Sequence, residues 1–159
     1  MATTALTIEE SGRLVGGHAW VEMRLFEKLG RWSGVVDSPR ARVLLAATSR
    51  RHAWHAEMWV DLLPGLPHLP AADLIAPDDG AAAVVAALDD LDDVATADRL
   101  AALTGVALPH VIDRLTAHLD RTVPVTDAPT QRALRLALVD LGNDRDALAA
   151  LITSARADG

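Results

Sequence analysis

Apolar side chains recur along this chain at steps of three and four, whereas alternation at every second position, the mark of a half-buried strand, is nearly absent. Leu14, His18, Val21, Leu25, Leu29 and Trp32 form one stripe of a helix expected over 8–34. Thr7-Ile8-Glu9-Glu10 opens it as a Thr-x-x-Glu capping box, in which two side chains satisfy free backbone N–H groups of the first turn. Gly16 and Gly17 each weaken such a helix by about 1 kcal/mol relative to Ala, which points either to close approach of another helix, the preferred reading, or to a loosened first turn. A second helix begins with Ser38 as cap and Pro39 at its first position. It carries Leu44, Thr48, His52, His55, Trp59 and Leu62, and stops at Pro64-Gly65. The turn between the two is short, which makes them antiparallel neighbours.

Residues 64–93 are rich in Pro, Asp and Gly, with one apolar helical piece over 81–91. A connection of about thirty residues can travel the length of a bundle. The third long helix is expected over 96–122, with Leu100, Leu103, Ala107, Val111, Leu115 and Leu119 near one face and a kink at Pro109, beside His110. The fourth follows Val123-Pro124-Val125, is capped by Thr126 or Asp127, has Pro129 in its first turn, and carries Leu134, Leu138, Leu141, Leu148 and Ile152. The expected fold is all-α: a single domain over 1–159, built as a four-helix bundle of two antiparallel hairpins with a long crossover between the second and third helices.

Composition narrows the classes of function. The chain has 159 residues, half of them hydrophobic, enough for one sizeable core. Its formal charge of -7 and lack of a basic cluster argue against nucleic acid or an anionic membrane surface as partner, because phosphates are held by concentrated Lys and Arg. The absence of Cys excludes disulfides and thiolate chemistry and fits a reducing, cytoplasmic setting. The first ten residues show no signal-peptide pattern, and no run of about 18 apolar residues occurs, so neither export nor membrane insertion is expected.

Candidate chemistry concentrates in Arg50-Arg51-His52-Ala53-Trp54-His55-Ala56-Glu57. The i, i+3 spacing of His52 and His55 projects both rings from one helical face, close enough to bind one ion. Counting outward from the first turn puts His18 level with this pair and Glu22 one turn nearer the loop. Counting from the turn near Pro124 puts His110 level with Asp140, with Asp113 one turn away, and the crossover allows both layers to meet in one central site. Each residue also has a structural reading: Glu22 pairs with Arg50 or Arg51, His18 donates to a backbone carbonyl, His110 satisfies a carbonyl freed by Pro109, and Asp113 and Asp140 pair with Arg114 and Arg135. His68 reads as exposed. His118 reads as a cation favoured by the end of its helix, and the run Asp89-Asp90-Leu91-Asp92-Asp93 as a solvated turn.

The layout resembles the ferritin-like superfamily, whose di-iron members use a Glu on the first helix, Glu-x-x-His on the second, a Glu on the third and Glu-x-x-His on the fourth. The likeness covers most of residues 8–155 and is partial in its motif. His52-x-x-His55 stands in place of Glu-x-x-His, Glu22 or His18 takes the first helix's Glu, Asp113 or His110 that of the third, and Asp140-x-x-Asn143, followed by Asp144, replaces the second motif. Carboxylates bridge and neutralise paired irons, so their replacement by imidazoles favours one borderline ion, iron or zinc. The resemblance thus implies a non-haem iron oxidoreductase acting on a small-molecule substrate, with Glu22, His52 and His55 as a two-His, one-carboxylate set. With no Tyr in the chain, Trp54 or Trp59 would serve any radical relay. The alternative is a metal-free bundle acting as a homodimeric interaction or scaffold module, with Trp20, Trp32 and Val35-Val36 contributing to its face.

Overall fold

The computed structural model describes residues 5–157, with side chains through Thr153, and every regular element among them is helical. Helix α1 (Ile8–Val35) starts with the expected capping box: Glu10 N–H donates to Thr7 Oγ1, and Thr7 N–H donates to Glu10 Oε2 at 2.7 Å. Helix α2 (Pro39–Asp61) starts where Ser38 Oγ accepts from Ala41 N–H, with Pro39 at the first position, where its missing donor costs nothing. The two run antiparallel. Ser49 Oγ donates to Phe26 O at 2.8 Å, and three residues further along α2, His52 meets Glu22, which lies earlier on α1.

Two further long helices close the core. Helix α6 (Leu108–Asp120) is antiparallel to α1, since His118 meets His18 while Arg121, just beyond α6, approaches Glu10. Helix α7 (Ala128–Ala157) is antiparallel to α2, since Asp140 meets His55 while Asp144 meets Arg51. Helices α2 and α6 therefore point the same way, which no short turn can arrange. Among them Leu25, Leu29, Leu45, Leu103, Leu115, Leu134, Leu141, Trp32 and Trp59 are almost wholly shielded. Trp32 and Val36 belong to this core, which removes them from any surface interface, whereas Val35 is 62% exposed and Trp20 half-buried.

The segment between α2 and α6 is more structured than its composition suggests. It contains α3 (Ala71–Leu74), α4 (Asp79–Asp89) and α5 (Thr96–Ala102). Helix α3 has four residues, too few to leave a periodic trace. Its backbone lies directly on α1: a Cβ built at Gly16 would stand 2.0 Å from Leu74 O, so the close approach implied by Gly16 is made by the crossover. The acidic run is an exposed turn at the end of α4, as expected, and two of its carboxylates also reach back to α1. Lys28, buried on α1, places Nζ 2.5 Å from Asp89 Oδ1 and 3.0 Å from Asp92 Oδ1, and Trp32 Nε1–H donates to Asp92 Oδ1 at 2.8 Å. A buried ammonium without these carboxylates would be strongly destabilising.

The predicted kink at Pro109 takes the form of a π-helical turn over Leu103–Ala107, between α5 and α6, where Leu108 N–H donates to Leu103 O. Pro109 has no N–H for the carbonyl of Gly105 and its ring crowds that carbonyl, so a wider turn just upstream accommodates both. Among the described residues no helix is long and apolar enough to cross a membrane.

Candidate metal centre

Helices α1 and α2 bring Glu22, His52 and His55 together in the core, each at most 1% exposed. One donor atom from each lies within 4.8 Å of the others. Ser38 and Pro39 set where α2 begins, and the short turn then sets its register against α1. Glu22 thus lies opposite the one face of α2 that carries both imidazoles.

Asp140 of α7 is what orders this cluster. His55 Nε2–H donates to Asp140 Oδ2 at 3.1 Å, which in the neutral ring leaves the lone pair on Nδ1. That nitrogen faces Glu22 Oε1 at 3.5 Å, and neither atom has a hydrogen-bond partner. Two donors that share an ion at about 2.1 Å in tetrahedral geometry stand about 3.4 Å apart. On the other side of the carboxylate, His52 Nδ1–H donates to Glu22 Oε2 in a short, wholly buried contact.

The charges follow from this geometry. Burial opposes ionisation of Glu22, but the electrostatic pull and hydrogen bond of His52, together with the facing His55 ring, outweigh it and hold the carboxyl at about 2. Burial likewise opposes protonation of His55, and the two carboxylates flanking it, Glu22 and Asp140, overcome that effect and raise it above the ordinary imidazole value. The cluster is a site with a fixed anion at its centre, and it attracts either protons or a cation.

The remaining candidates separate from this group. His18, one turn before Glu22, pairs its Nε2 with His118 Nδ1 at 2.9 Å and packs against Trp59, ring centroids 5.1 Å apart. His110 turns toward α4, where a Cβ on Gly80 would meet its Cε1 at 3.3 Å. Asp113 is exposed on α6. The pairings of Glu22 with Arg50 or Arg51 and of Asp140 with Arg135 do not form: Arg51 binds Asp144, and Arg135 bonds to Gln131. His68 is exposed, as expected, and pairs with Glu9. Of the two tryptophans, Trp54 is half exposed with its ring 5.6 Å from that of His55, and Trp59 is fully buried against His18.

His118 is the residue whose sequence reading changes most. It is buried, and burial lowers it to about 4, so it is a neutral core imidazole, not a cation serving the helix dipole. The i, i+4, i+7 stripe of Val111, Leu115 and His118 was the available signal that it faces inward. His18 is driven lower still, to about 3, by burial and then by the neighbouring His118 and Arg114. Set against protein-family models, curated proteins and solved structures, the chain finds no match in any of the three.

Proposed function

We propose that the protein is a ferritin-like four-helix bundle that holds one divalent metal ion on Glu22, His52 and His55, and that it acts as a non-haem iron oxidoreductase on a small-molecule substrate. The observation carrying this reading is the Asp140–His55–Glu22 line. A carboxylate fixes the outer nitrogen of an imidazole whose inner nitrogen meets a second, unpartnered carboxylate oxygen at ligand-to-ligand separation. The antiparallel pairings of α1 with α2 and α6, and of α7 with α2, support a ferritin-like course of the chain. Two imidazoles and one carboxylate suit Fe(II) or Zn(II), and with iron the set leaves positions open at which oxygen and a substrate can be activated. In that centre Glu22 supplies the negative charge, His52 and His55 supply neutral nitrogen donors, and Asp140 orients His55. Trp54, packed on His55 and half exposed, offers a path for an electron to the surface.

Elemental analysis of the protein from iron- and zinc-supplemented cultures, beside His52→Ala and His55→Ala, tests the proposal. The expected result is one metal per chain in the parent and loss of it in both variants. Nitric oxide added to the Fe(II) form should then give the half-integer-spin EPR signal of an ion with an open position. A parent that binds neither metal rejects the metal centre. That outcome would favour the second reading, a metal-free homodimeric module, which is supported by Met23, Phe26 and Val60 lying exposed around one groove on the outer face of α1 and α2.

A further inference from the structure

Between α1 and α6 lies a recess of about 170 Å³ lined by Leu14, His18, Arg114, Ala117, His118 and Arg121. A second recess of about 350 Å³ shares Leu14, Arg114 and Arg121 with it. The smaller one is unusual in what it contains: two buried imidazoles, two guanidinium groups and no carboxylate among its walls. His118 Nε2 is buried and makes no hydrogen bond, which in a protein interior is a cost to be explained. His118 Nδ1 is taken up by His18. When His18 Nε2–H donates to that atom, the one proton of the neutral His118 ring sits on Nε2, as a donor without an acceptor.

We infer that this recess binds a small carboxylate, whose oxygens accept from His118 Nε2–H and Arg121 and whose short apolar tail lies against Leu14 and Ala117. The cation available is Arg121. Arg114 is already engaged by Asp78, while Arg121 reaches Glu10 Oε1 only at 3.8 Å and remains 45% exposed at its side chain. An incoming carboxylate therefore competes with a weak partner, and it satisfies the orphaned nitrogen of His118. Burial of the two rings, which keeps them neutral, also preserves the donor and acceptor order along the pair. This site uses no residue of the metal cluster, so it stands or falls independently of the metal.

The test is a titration of the full chain with sodium butyrate and, separately, inorganic phosphate, followed through the ring ¹⁵N resonances of the histidines. Butyrate should shift His118 and His18 saturably, and phosphate, lacking an apolar tail, should do so much more weakly. Arg121→Gln, a change at a half-exposed side chain, should weaken butyrate by about tenfold or more, as loss of a charge-assisted bond requires. Glu10→Gln, which keeps a capping box while removing the competing charge, should tighten it. Arg145→Gln on α7 should leave it unchanged. The inference is overturned if neither probe shifts these rings, if Arg121→Gln binds butyrate as the parent does, or if phosphate binds as tightly as butyrate.

Discussion

Asp140 differs from Glu22 in touching one imidazole, His55, from the outer side of the cluster, with its side chain 24% exposed. Its part is to hold His55 in one tautomer and orientation. Groups in that position contribute about ten- to a hundredfold to metal affinity. Asp140→Ala should therefore weaken metal binding by that factor in competition with a chromophoric chelator, and Asp140→Asn, which keeps a carbonyl acceptor, by less. Equal affinity in all three proteins would show that Asp140 does not order the site. The imidazole pair was legible from the i, i+3 spacing of His52 and His55, and Glu22 was legible from its level along α1. The difference between Glu22 and Asp140 was not. Both are acids on apolar stripes, and only the approach of α7 makes one a central donor and the other an outer partner. His18 and His118 show the same limit, since the partner of each lies 100 residues away in sequence.

At the scale of elements, the contact between α1 and α3 makes the sharpest demand on the sequence. A methyl at Gly16 would collide with the backbone carbonyl of Leu74, which cannot rotate away as a side chain could. Gly16→Ala gains up to about 1 kcal/mol of helix propensity but forces the crossover off α1, and overpacking of this kind costs about 1–3 kcal/mol. Urea denaturation should show a net loss of stability of up to about 2 kcal/mol. Gly34→Ala, in the same helix with nothing within 4 Å of the added carbon, should be neutral or stabilising by up to about 1 kcal/mol. If both variants behave alike, the close approach of α3 is wrong. The long helices were readable because caps and 3–4 periodicity are local properties of the chain. Helix α3 and the anchoring of Asp89 and Asp92 were not, because a four-residue helix has no period and an acidic run takes its partner, Lys28, from a distant element.

For the whole molecule, the buried imidazoles set how stability responds to acid. His18 and His118 are held at about 3 and about 4 when folded, against an ordinary 6.5. A depressed value means that the unfolded chain takes up protons that the folded chain refuses, so stability is full above about pH 6.5 and falls as pH is lowered. The slope for His18 is roughly 1.4 kcal/mol per pH unit between 6.5 and its folded value, with a further loss from His118. His55 has the opposite sign. Its raised value adds stability that is complete below 6.5 and is lost above it, so it contributes no slope in the acid range. Glu22, held at about 2, adds loss only as pH falls below about 4.5. Denaturation midpoints should therefore decline steadily from pH 6.5 to 4, and His18→Phe or His118→Phe should flatten the decline even where it changes stability at neutral pH. Stoichiometric Zn(II) or Fe(II) at pH 7 should raise the melting temperature, and chelation should reverse the rise. Constancy of stability from pH 6.5 to 4 would mean that these rings are not buried neutral. By itself the sequence determined the helical class, the starts of α1 and α2 and the paired imidazoles, since each follows from local sterics, capping or periodicity. Only the tertiary structure decided which polar side chains meet, because a buried charge or imidazole takes its role from partners that the chain brings from afar.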